Sequence, residues 1–211
     1  MPSQAPRLKM VTAVGLLVPL LILIGLGIEG RGPFTTSAAH RLRRLKDRSA
    51  SPDSVDDMTF DEFVRLPPHP RSEVRESLES HGVRLEGYVA HIRHATDGDF
   101  HLDVTLAPPA SGKSAQPFLA GEVTPAWQHM VSGWTYDSLR RAFRSSESGQ
   151  AAEPVRVRLT GWLLYDMYAD LLPRAVDPHG VGRVTAWEIH PVTHIEVWDE
   201  SQKRMVDLGG R

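Results

Sequence analysis

Among the 10 His and 26 Asp and Glu residues of this 211-residue chain, five that could hold a metal ion or move protons fall in three short segments. Asp99 and His101 lie in Asp97-Gly98-Asp99-Phe100-His101-Leu102, Glu122 in Ala120-Gly121-Glu122-Val123, and Glu188 and His190 in Trp187-Glu188-Ile189-His190-Pro191-Val192. Imidazole and carboxylate suit zinc or another divalent ion, and a coordination position left to water would allow attack on phosphodiesters or other esters. His101, His190 and Glu188 are the expected ligands of such an ion, with Asp99 and Glu122 completing the candidate set. The same residue types could instead shuttle protons or form the solvated outer face of a sheet, and their spacing does not choose among these.

Other chemistry is narrowed by what the chain lacks. It has no Cys, which removes disulfides, thiolate metal sites and a Cys nucleophile. No nucleophile elbow or Walker-type phosphate-binding Gly-rich loop occurs.

The elements that must position the five are strands. Phe100, Leu102, Val104 and Leu106 alternate with Asp99, His101, Asp103 and Thr105, which sorts them onto two faces of a strand that follows a Thr96-Asp97-Gly98 turn. Trp187, Ile189, Ile195 and Val197 alternate in the same way with Glu188, His190, His194 and Glu196. Pro191 cannot donate to a ladder, so this last strand must bulge or lie at an edge there, and bulges re-aim side chains; His190 is therefore singled out among the five. Val83 to Val89 with a bulge or bend at Gly87, Pro117 to Thr124, and Val155 to Tyr165 read as three more strands. Pro125 to Ser146 has helical spacing, interrupted at Gly133.

The order is three strands, helix, two strands. This predicts a mainly β domain, a five-stranded OB-fold-like Greek-key barrel with a helix between strands three and four, whose binding surface would lie on strands two and three and neighbouring loops. The expected boundaries are a tail over 1–9, a transmembrane helix over 10–28, a basic and polar linker over 29–57, a short helical segment over 58–82, the barrel over 83–199 and a tail over 200–211. Within the helical segment, Thr59 and Glu62 have capping-box spacing and Ser72 to Ser80 reads as a short amphipathic helix.

The Asp-Gly-Asp-Phe-His-Leu segment at 97–102, the acidic strand at 120–123 and the Glu-Ile-His-Pro-Val segment at 188–192 resemble those of a group of bacterial, envelope-associated OB-fold-like domains without a settled activity. The resemblance spans roughly Val83 to Trp198. It implies a fold and an envelope location, and no chemistry.

Met10 to Ile28 is a charge-free run of 19 residues, about 28 Å long as a helix and so close to the thickness of a bilayer's hydrocarbon core. A single-pass anchor is expected there, in preference to a cleaved signal peptide, whose best cleavage pattern, Ser37-Ala38-Ala39, sits far downstream. Arg7 and Lys9 abut the run, which favours an extracytoplasmic C-terminal domain against the plain count of basic residues downstream. His40 to Arg48 reads as a short basic helix or a solvated basic linker. The net charge of -2 divides into +6 over residues 1–52 and -8 over the rest. An acidic folded part disfavours nucleic acid as partner, and it does so despite the row formed by Arg156, Arg158 and Trp162.

Two functions are thereby expected. One is a membrane-anchored, non-enzymatic module that binds a peptide, oligosaccharide or protein through strands two and three and the loop Met167–Gly182. The alternative is a metal-dependent hydrolase or nuclease, or a metal or cofactor chaperone, using the His and carboxylate set.

Overall fold

The structure, a computed structural model, describes residues 36–108, 116–171, 176 and 182–209. The chain divides into two compact units, Met1–Arg44 and Leu45–Arg211. Helix α1 (Thr36–Lys46) takes in most of the basic run. Among the described residues no helix is long and apolar enough to cross a membrane, and the charge-free run 10–28 lies outside them.

The second unit is built on seven strands: β1 (Val55–Met58), β2 (Gly82–His94), β3 (Phe100–Thr105), β4 (Phe118–Val123), β5 (Gln150–Tyr165), β6 (Arg183–Asp199) and β7 (Arg204–Asp207). β2 pairs with β3, β3 with β4, and β5 with both β6 and β2, all antiparallel, while β4 pairs with β6 in parallel. The ring closes as β2-β3-β4-β6-β5-β2, a Greek-key barrel of the OB type in which the parallel pair follows from the helical crossover between β4 and β5. That crossover holds α4 (Pro125–Met130) and α5 (Tyr136–Ala142), separated at Gly133, whose φ of 89° suits glycine. Before the barrel come α2 (Phe60–Val64), started by the expected reciprocal cap between Thr59 and Glu62, and α3 (Ser72–Leu78). α6 (Met167–Leu171) opens the segment after β5; residues 172–175 and 177–181 of the expected binding loop lie outside the described residues.

Alternation decides the barrel's interior. Val83, Leu85, Val89, Phe100, Leu102, Val104, Val157, Leu159, Ile189 and Val192 are buried in one apolar core. The register irregularity of β2 falls between Val89 and His91 rather than at Gly87, where the expectation put it. Gly87 instead answers a close approach, since a Cβ there would stand 2.8 Å from the carbonyl oxygen of Thr105. The expected irregularity at Pro191 is present: the β5–β6 register shifts on both sides of Gly161, which packs against the Pro191 carbonyl.

Two segments read as linker and tail extend the sheet. β1, which closes the expected 29–57 linker and runs one residue past it, pairs in parallel with the start of β2, and β7, within 200–211, pairs with the end of β6. Their sequences, Val-Asp-Asp-Met and Arg-Met-Val-Asp, are too short and polar to show a period, and backbone hydrogen bonds to a formed sheet recruit them.

Candidate metal centre

Cross-strand register brings the five residues together. In the β3–β4 pair His101 stands opposite Glu122, and in the parallel β4–β6 pair Ala120 stands opposite Glu188. One pleat further along, Glu122 and His190 become neighbours, on the side of the sheet away from the apolar core. Asp99 enters from the turn before β3, where Gly98 has φ 93° and the Asp99 N–H donates to Asp97 Oδ1.

The expected solvated face is buried. Glu188 and His190 are fully enclosed, Glu122 is 2% and Asp99 5% exposed, and the His101 side chain retains 21%. His190 Nδ1 donates to Glu188 Oε1 at 3.0 Å and stands 2.8 Å from Glu122 Oε2. The ring proton is aligned with Glu188, so Glu122 Oε2 has no hydrogen bond among the described residues in spite of that distance. On the other side of the ring, Nε2 points toward Asp99 Oδ2 at 3.4 Å and likewise makes no hydrogen bond among the described residues. One donor atom from each of Asp99, Glu122 and His190 lies within 4.8 Å of the others, the separation of a ligand set around one ion.

Glu188 and His101 support this trio. Glu188 Oε2 accepts from Arg183 at 2.8 Å, and Arg183 also donates to Asp166 at 2.8 Å. A carboxylate that fixes the non-ligating N–H of a histidine is the usual outer partner of a metal-bound imidazole. His101 Nε2 stands 2.7 Å from Glu122 Oε1, and its Nδ1 is 3.5 Å from Arg93, whose guanidinium is committed to Asp103. Lys46 Nζ approaches from the edge, 3.9 Å from Glu122 Oε2 and 3.7 Å from Asp97 Oδ2.

These contacts displace the titrations. Burial alone would lower the His190 imidazole, but the adjoining Glu122 and Glu188 outweigh it and push it up to about 10. Burial lifts Asp99 to about 7, opposed by His190 and assisted by Glu122. Burial would raise Glu122, yet His190 and His101 hold it well below the usual carboxylate range. Glu188 is raised, by burial and then by Glu122, against the pull of Arg183.

Sequence reasoning did not reach Lys46, Arg183 or Asp166. Lys46 was one cation in a basic run, and no local pattern joins Arg183 to Asp166 across 17 residues. The row of Arg156, Arg158 and Trp162 is spent internally: Glu86 pairs with both guanidiniums, Arg158 also meets Glu196, and Arg48 stacks over Trp162.

No protein-family model matches the chain, and no curated protein does. Among solved structures, the chain is similar to the asparaginyl-tRNA synthetase of Pyrococcus horikoshii complexed with asparaginyl-adenylate, at 15% identity and TM-score 0.34, over 67% of this chain and 22% of that one. It is similar to the OBody AM3L09 bound to hen egg-white lysozyme, at 17% identity and TM-score 0.31, over 64% of this chain and 98% of that one. A putative aspartyl-tRNA synthetase from Leishmania major Friedlin gives 11% identity and TM-score 0.34, over 77% of this chain and 26% of the other. The chain thus spans about a quarter of the length of the two synthetases or less. Its place in the OB-fold-like class rests on its own strand order and pairing.

Proposed function

We propose that this chain is a membrane-tethered binding domain of the cell envelope in which Asp99, Glu122 and His190 hold one divalent transition-metal ion, such as zinc or manganese. One observation carries the metal reading: His190 Nε2 is fully buried, lacks a hydrogen bond among the described residues, and is aimed at Asp99 while Nδ1–H is held by Glu188. An imidazole with two carboxylates is a mixed nitrogen and oxygen set that suits such ions. The charge-free run Met10–Ile28 supports the tether, and Arg7 and Lys9 beside it support an extracytoplasmic barrel. The resemblance of the 97–102, 120–123 and 188–192 segments to envelope domains supports the same location.

Burial favours a bound ion over hydrolysis. With Asp99, Glu122 and His190 each at most 5% exposed, a polymer or ester substrate has no approach to an ion between them. The ion then organises the β3–β4–β6 face, and a peptide, oligosaccharide or protein ligand binds at the barrel surface. Thermal unfolding of the purified full-length chain with added zinc or manganese tests the metal, and carbonate extraction of membranes tests the tether. A rise in midpoint in the wild type that vanishes in His190→Ala, with retention in the membrane pellet, is the expected result. Unchanged midpoints would sink the first part, and release into the carbonate supernatant the second.

A further inference from the structure

Arg183, Arg93 and Lys46 supply positive charge around the cluster, and they differ in how tightly they are held. Arg183 is fixed by Asp166, Glu188 and the carbonyls of Thr185 and Ala186. Arg93 donates to both oxygens of Asp103. Lys46 Nζ stands at 3.9 Å from Glu122 Oε2 and 3.7 Å from Asp97 Oδ2, ion-pair distances too long for hydrogen bonds. The two carboxylates it faces are unlike. Glu122 is buried and its Oε2 makes no hydrogen bond among the described residues, whereas the Asp97 side chain is 53% exposed.

We propose that the ammonium of Lys46 and a divalent ion are alternative cations for Glu122, and that the ion binds by sending Lys46 outward to Asp97. This inference rests on the metal reading above. A doubly charged ion between Asp99, Glu122 and His190 repels an ammonium within a few ångströms, and in a buried site that repulsion is weakly screened. A four-carbon stem with rotatable bonds lets the ammonium retreat without breaking a hydrogen bond, which neither guanidinium can do. Asp97 then becomes the second seat of Lys46, close enough to be reached by rotation of the side chain. The departure of the ammonium offsets half of the charge that the ion brings into the enclosed space, which lowers the cost of burying it.

Calorimetric titration of the purified full-length chain with manganese or zinc tests this. Lys46→Gln removes the competitor and is expected to raise affinity by about tenfold or more, while Lys46→Arg, which keeps the charge, does not. Asp97→Asn, which retains an oxygen for the Asp99 N–H, is expected to weaken binding in the wild type and to weaken it much less in the Lys46→Gln background. That non-additivity separates a seat for Lys46 from a general loss of negative charge. Unchanged or weaker binding by Lys46→Gln, with the wild type still binding, overturns the exchange and leaves the metal site standing. No binding by either protein overturns the metal reading and the exchange with it.

Discussion

His190 Nδ1 and Glu188 Oε1 lie 3.0 Å apart, two residues apart on β6, with neither side chain exposed to solvent. The pair is the point where strand geometry becomes chemistry. Residues i and i+2 share a face, so the carboxylate lies beside the imidazole and accepts a hydrogen bond from Nδ1–H, turning Nε2 toward Asp99. Neutralising Glu188 should therefore loosen the orientation of His190 without removing a ligand. Glu188→Gln is expected to lower divalent-metal affinity about 10–100-fold, the usual effect of changing an outer partner. Equal affinity in wild type and variant by calorimetry would count against the role given to Glu188.

Arg183 neutralises two acids at once, Glu188 and Asp166, from a side chain that is only 10% exposed. Arg183→Met would leave both carboxylates without that partner. Urea unfolding is expected to show a loss of about 3–5 kcal/mol, the scale on which breaking a buried pair destabilises. Arg65→Ala, which removes an exposed pair with Asp61 at 3.7 Å, should by contrast leave the midpoint where it was. Similar effects from the two substitutions would mean that Arg183 does not act by compensating buried charge.

The titrations set a direction for stability with pH in the presence of a chelator. Asp99 and His190 hold protons more tightly in the folded protein than in the unfolded chain, at about 7 against 3.8 and about 10 against 6.5. The contribution of Asp99 is complete below 3.8 and lost as pH rises through about 7; that of His190 is complete below 6.5 and lost through about 10. Glu122 runs the other way, stabilising above its ordinary 4.5 and losing that contribution as pH falls through its depressed value. The chelated protein should thus lose stability steadily from pH 7 to 10, and less steeply in His190→Gln. Urea midpoints that stay level or rise over this range would contradict the charge state given to His190.

Gly161 faces the bend at Pro191, and a Cβ there would collide with the Pro191 carbonyl and stand 2.7 Å from Ile189 Cγ2. The neighbours are backbone and a buried core side chain, so little can give way. Gly161→Ala is expected to cost about 1–3 kcal/mol and to weaken metal binding, because His190 immediately precedes the bend. An unchanged unfolding midpoint would show that β6 can adjust there.

Much of the barrel is legible in the residues themselves. The period of two at Phe100–Leu106 and the alternation around Trp187 mark β3 and β6, Pro125 and Gly133 bracket the start of α4 and the break before α5, and Pro191 signals the register shift opposite Gly161. The site is legible only as residue types. Alternation places His101, Glu122, Glu188 and His190 off the apolar face, but whether a second face is wet or enclosed depends on what lies over it. The register that sets His101 against Glu122 belongs to a strand pair, and the approach of Lys46 joins residues 76 positions apart in the chain; neither has a local signature. β1 and β7 are missed for a related reason, since a four-residue edge strand takes its structure from its neighbour's backbone.

Elemental analysis of the purified full-length chain, after dialysis against zinc or manganese and removal of free ion, tests the central claim most directly. One divalent ion per chain is predicted for the wild type, with loss of most of it in Asp99→Asn and His190→Ala and retention in His194→Ala, whose side chain lies away from the cluster near Asp207. A wild-type chain that retains no stoichiometric metal, or one whose metal survives both Asp99→Asn and His190→Ala, would contradict it.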